Sequence, residues 1–206
     1  MPPKEKYNKE IILETALEIA RAEGLEKVSV RNIASKIGCS TQPIYSSFDS
    51  VTELEKELII KIKTYAQKKI LEHEENDEHE KFLAIGMGYF LFSKTEPQLF
   101  NALFTKNKWE WSFSAEDPFF KPILEKMKTD NALKEMDNKI LLDLFRDMLI
   151  YTHGLATRAY LDNSEMTEEQ ARALLKRMGA ILIVSTITKS YEEIENIMRS
   201  YHKCTD

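Results

Sequence analysis

The chain has 206 residues, 43% of them hydrophobic and 31% charged, so it can bury a sizeable core without a disulfide or a metal. Six glycines and six prolines are few for this length, which favours helix over sheet and sets the expected fold class as all-α with about nine helices. A net charge of -5 excludes a basic field over the whole protein as an argument for nucleic acid; residues 1–50 hold seven Lys and Arg against seven Asp and Glu, so the remainder carries the whole deficit.

Between residues 11 and 22, Ile12, Leu13, Ala16, Leu17, Ile19 and Ala20 recur at spacings of three and four, which predicts an amphipathic helix ending before Gly24. Ser29 then reads as the N-cap of a second helix whose Ile33 and Ile37 lie one turn apart, with Gly38 as a left-handed stop. A third, very short helix over 41–46 is expected, capped by Ser40 or Thr41. That cap puts Pro43 at the second or third helical position, where its missing N–H has no intrahelical partner. Ile44 and Phe48 then turn inward together. Helix, tight glycine turn and short helix make a helix-turn-helix.

Asp49 or Ser50 caps a long fourth helix, residues 51–75, with Leu54, Leu58, Ile59 and Ile62 on one stripe. The acidic tract 71–80 reads as a solvated junction. A fifth helix follows through Phe82, Ile85, Tyr89 and Phe92. A short sixth is capped by Thr95, has Pro97 in its first turn and carries Leu99, Phe100, Leu103 and Phe104. The aromatic stretch 106–121 is too irregular for a helix. A seventh helix is expected over 122–128, with Asn131 as a left-handed stop, and two long helices over about 137–162 and 167–201 complete the chain.

The run from Leu13 to Leu54 closely resembles the DNA-binding segment of the tetracycline-repressor (TetR/AcrR) family of bacterial regulators. Gly24, Ser29, Ile33-Ala34, Gly38-Cys39-Ser40, Ile44-Tyr45, Phe48 and Leu54 carry the likeness in order. Downstream, F-L-A-I-G-M-G-Y-F-L-F-S-K-T-E-P-Q-L-F and L-I-Y-T-H-G-L-A look like the regulatory half of one branch, in which a tryptophan usually precedes the His-Gly pair by four residues; here Leu149 stands there. Family members often have lysine at the start of helix four, and this chain has Val51. Exposed backbone N–H groups at that helix end, with Lys56, are the expected substitute contact for a phosphate.

The resemblance implies a DNA-binding domain over 1–49 and a ligand-binding and dimerisation domain over 50–206. It also implies a homodimer through the last two helices on a palindromic double-stranded DNA operator, with repression as the family-level expectation. Helix four would act as the lever between the halves. Arg31, Ser40, Thr41, Gln42, Pro43, Tyr45 and Ser46 are the candidate DNA-binding residues: a glutamine amide pairs with adenine, a threonine methyl touches thymine, and the Tyr45 phenol meets a phosphate. Ser29 and Ser40 also serve as caps. For a small, largely apolar or aromatic effector, the candidate residues are Tyr89, Phe92, Phe104, Trp109, Trp111, Tyr151 and the polar anchor His153. Apolar residues on more than one face of helices eight and nine suit a four-helix dimer interface.

An enzyme of the di-iron bundle type needs Glu-x-x-His, and the residues three before His73, His79, His153 and His202 are Ile70, Asn76, Ile150 and Arg199. No cofactor is implied. The remaining alternatives are a metal sensor built on His73 and His79, and a helical protein-interaction module. Cys39 and Cys204 lack a C-x-x-C spacing and read as reduced thiols. No apolar leader follows Met1, and the run 180–184 is far too short to span a bilayer, so a cytoplasmic protein is expected.

Overall fold

The computed structural model describes residues 7–74, 80–105, 114, 116–161 and 166–188. Among the described residues there are nine α-helices and no strand, in the order α1 Lys9–Glu23, α2 Val30–Ile37, α3 Gln42–Ser47, α4 Val51–Glu72, α5 Lys81–Thr95, α6 Pro97–Phe100, α7 Lys121–Met127, α8 Asn138–Leu161 and α9 Glu168–Thr188. Contacts group the chain into two compact units. One comprises Met1–Lys69 with Phe92–Trp111, the other Ile70–Leu91 with Ser112–Asp206.

In the first unit, Asn8 opens α1 by accepting the Ile11 N–H at 2.9 Å, and Gly24 closes it at φ 96°. The six apolar residues of the expected stripe are all buried, and α1 packs against α2, α3 and α6. Ser29 caps α2 through the Asn32 N–H at 3.2 Å. The α4 stripe runs Leu54, Leu58, Ile62 and Ala66 at a spacing of four, while Ile59 sits half-buried beside it. Thr95 does not cap α6 as expected. It is the last residue of α5, and Glu96 takes the cap position at φ -129°, because the residue before a proline is pushed out of the helical region. After Phe100 the backbone widens into a π turn, Asn101–Thr105.

In the second unit α8 packs on α9 and on α7. The expected one-sided stripe of α5 is too narrow: Phe82, Leu83, Ala84, Ile85, Met87, Tyr89 and Phe90 are all buried, so this helix is interior on every side. Its crowding shows at Gly88, where an added Cβ would stand 2.2 Å from the Ile70 carbonyl oxygen. The seventh helix ends at Met127 with Lys128 as its C-cap, short of Asn131, and the next turn is organised by Asp130. Asp130 is 3% exposed; its carboxylate accepts the Phe82 N–H at 3.1 Å and the Ala132 N–H at 2.9 Å. Four residues earlier, Lys126 donates to the carbonyls of Leu71 and His73. An anion therefore meets the positive end of α5 and a cation the negative end of α4, both from one short segment. Asp137 and Thr167 cap the last two helices, Thr167 in a reciprocal pair with Gln170. The expected continuation of α9 to 201 lies outside the described residues beyond Thr188.

Gly88→Ala is expected to destabilise the protein by about 2–3 kcal/mol, since backbone rather than a flexible side chain blocks the new methyl. Gly179→Ala, whose Cβ would meet the Phe82 ring at an ordinary 3.9 Å, should be neutral or gain up to about 1 kcal/mol from helix propensity. Thermal unfolding of the pair checks this; equal midpoints would refute the close approach at Gly88.

Candidate nucleic-acid interface

The α2–α3 turn arises from one backbone choice. Gly38 adopts φ 78°, ψ 41°, a left-handed conformation that costs a glycine little, and its N–H and that of Cys39 return to the carbonyls of Ala34 and Ser35. The chain then re-enters helix at Gln42, with Pro43 second. Thr41 fills the cap position without a side-chain hydrogen bond, contrary to the expectation that a Ser40 or Thr41 hydroxyl would cap. The reason is local: the second helical N–H is absent in Pro43, and the third, on Ile44, already points at the Thr41 carbonyl at 3.2 Å. Pro43 is thus seated in the first turn, where it breaks nothing.

Packing then divides the α3 side chains. Ile44 is 1% and the adjoining Phe48 5% exposed, whereas Tyr45 is 59% exposed and stands outside the core. Ser40, Gln42 and Ser46 are exposed on the same short helix and its approach, Thr41 and Pro43 are half-buried, and Arg31 is exposed on α2. All seven predicted residues lie between α2 and the end of α3. The Ser46 hydroxyl donates to the Gln42 carbonyl at 3.0 Å, so toward a ligand it presents an acceptor.

The start of α4 departs from expectation. The Glu53 carboxylate accepts the Asp49 N–H at 2.6 Å and the Ser50 hydroxyl accepts the Glu53 N–H at 3.1 Å, so two donors expected to meet a phosphate are occupied from within the chain. That backbone bond also holds the Glu53 carboxyl below its usual range. Val51 is 45% exposed at this end and carries no charge. Nearby cations are paired: Lys9 with Glu53 and Glu57, Lys36 with Glu18, and Lys61 with Glu10 and Glu14. Lys56 is exposed.

Of the predicted effector residues, the structure brings Tyr89 and His153 together. The Tyr89 hydroxyl lies 3.0 Å from His153 Nδ1, the rings meet edge to face at 6.3 Å, and His153 Nε2 lies 3.3 Å from the Thr157 hydroxyl. Burial pushes the Tyr89 phenol well above its usual range and lowers the His153 imidazole, so both are neutral near pH 7. Tyr151 is half-buried on α8. Phe92 and Phe104 are buried in the first unit. Trp109, Trp111 and Phe113 lie outside the described residues, as do Lys4, Lys6, His79, His202 and Cys204. An open cleft of about 160 Å³ against Lys121, Leu124, Lys128 and Leu141 is below the usual size of a small-molecule site. Among the described residues no group of three or more His, Cys, Asp and Glu could hold a metal ion, and no helix is long and apolar enough to cross a membrane.

Because the folded imidazole of His153 titrates below its ordinary 6.5, the unfolded chain binds more protons just under that pH, and stability rises with pH there. The contribution is whole above 6.5 and lost as pH falls through the lower folded value. Thermal midpoints taken from about pH 7.5 to about pH 5 should fall more steeply for the native chain than for His153→Gln; equal slopes would remove His153 as a cause.

Comparison with known proteins bears on the helix-turn-helix first. Residues 12–58 match the family model described as bacterial regulatory proteins, tetR family. A solved transcriptional regulator from Rhodococcus sp. Rha1 shares the fold at a TM-score of 0.53 and 16% identity, over 84% of this chain and 95% of that one. No curated protein matches the sequence. The matched segment encloses the helix-turn-helix, so residues 12–58 are similar to the DNA-binding part of bacterial regulators of the tetR family.

Proposed function

We propose that the protein is a cytoplasmic, homodimeric repressor, without enzymatic activity, that reads an approximate palindrome with α3 of each copy in successive major grooves and is released by a small, largely apolar or aromatic effector. The observation that carries the reading is the division of α3, with Ile44 1% and Tyr45 59% exposed. A helix of six residues that anchors by one side chain and offers its polar ones outward is shaped for a groove. In this reading residues 1–49 are the reading head. Gln42 pairs with an adenine edge, Thr41 and Pro43 touch base methyls, and Ser46 accepts from a base amino group. Tyr45, Ser40 and Arg31 hold phosphates.

Residues 50–206 receive the effector and form the dimer. Exposed apolar residues on α8 and α9 support that interface: Ile150 is 62%, Leu161 70% and Ile181 50% exposed, and nothing lies within 4 Å of where a Cβ on Gly154 would be. The neutral Tyr89–His153 pair supports a polar anchor at the effector site, with Tyr151 of the same unit as a further candidate. The effector acts only through its different affinity for the DNA-competent and DNA-incompetent states.

Anisotropy titration of duplexes from the chain's own promoter region should give saturable, sequence-dependent binding whose affinity drops about 10³–10⁵-fold between roughly 50 and 200 mM salt. Gln42→Ala should cost about 1–3 kcal/mol at the preferred site and flatten sequence preference, while Tyr45→Phe should weaken every sequence by about 1 kcal/mol. No saturable binding at low salt would overturn the reading. In sedimentation, Ile150→Glu combined with Ile181→Glu should convert dimer to folded monomer and abolish tight operator binding; an unchanged dimer would exclude the α8–α9 interface.

A further inference from the structure

Glu96 stands at the junction of α5 and α6 with 8% of its surface exposed, and three donors converge on its carboxylate. Arg21 Nε reaches one oxygen at 3.0 Å and an Arg21 terminal nitrogen the other at 2.5 Å, a two-pronged pair that also fixes orientation. The Tyr65 hydroxyl donates at 2.6 Å, and the Arg21 guanidinium lies 4.9 Å from the centre of the Tyr65 ring. One carboxylate thus joins the end of α1, the middle of α4 and the cap position of α6, all within the first unit. Burial alone would raise the Glu96 carboxyl, but the bonds from Arg21 and Tyr65 outweigh it, and it titrates below its usual range. It is held as an anion.

The helix that Glu96 opens is itself locked to the head by packing. Leu99 and Phe100 are fully buried, α6 packs on α1, and α1 packs on α2 and α3. The chain then leaves α6 through the π turn Asn101–Thr105, whose extra residue per turn is a rare geometry one register step from ordinary α-helix. Resting on the DNA-binding reading above, we propose that the Arg21–Glu96–Tyr65 cluster is a coupling clamp that makes the state of α6 and its π turn depend on the reading head. Apolar contact alone tolerates sliding of α6 along α1. A two-pronged ionic contact to an anion with little access to water does not, since a shift of one residue would strand the charge. By reciprocity, occupancy at α3 is felt at residues 98–104, and a change at 98–104 is felt at α3. Glu96 is here a positioning residue that touches no DNA.

Hydrogen exchange of the full chain, free and bound to a duplex from its own promoter region, tests this. In the native protein DNA should protect α3 and change exchange at 98–104 by roughly fivefold or more, the lower end of ordinary coupling. In Glu96→Gln, which keeps the shape and removes the charge, α3 protection should remain and the response at 98–104 should be lost. Tyr65→Phe, which removes one of the three donors, should give the same separation in part and serves if the first variant does not fold. A full response in the folded variants, or none in the native chain while α3 is protected, would overturn the clamp and leave the DNA reading standing. Absence of α3 protection would overturn both.

Discussion

Helix α1 has to satisfy several neighbours at once, and the rest of the first unit depends on its doing so. Its buried residues, Ile12, Leu13, Ala16, Leu17, Ile19 and Ala20, are spread too widely for one partner helix. They serve α2 and α3, which form the helix-turn-helix, and also α6, far along the sequence. Two small residues among the six let the neighbours come close, and the caps at Asn8 and Gly24 limit fraying at either end.

That arrangement explains how so short a helix as α3 can be well defined. Six residues have little helical tendency in isolation, because nucleation costs more than one turn returns. α3 is kept by Gly38 on one side, by Ile44 and Phe48 buried below it, and by a proline whose backbone angle is already helical. The electrostatics are restrained to match. Lys9, Lys36 and Lys61 are spent on carboxylates of their own unit, so the head offers oriented polar groups on a near-neutral background rather than a strong basic field.

The second unit solves a different problem, that of helix ends near an interior. Lys126 and Asp130 come from α7 and the turn after it, yet they satisfy the end of α4 and the start of α5. Burial lowers the Lys126 ammonium, the expected cost of holding a cation among helix ends rather than in water. In the same unit Tyr89 and His153 form a neutral hydrogen-bonded pair, a chemistry suited to orienting a ligand without charging it.

Much of what is governed by neighbours within one helical turn was legible in the residues themselves, the caps before Pro43 and Pro97 excepted. The α1 stripe, the Ser29 cap, the left-handed Gly38, the harmless Pro43 and the helical register of Gln42, Tyr45 and Ser46 all come from spacings of three or four, where stereochemistry acts alone. Only the tertiary structure decided that Tyr45 faces outward and that α5 is interior on all sides. It alone paired Arg21 with Glu96 and Asp130 with Phe82, contacts across 75 and 48 residues. A buried charge is satisfied by whatever donor the packing brings near it, and nothing in the local sequence records which one that will be.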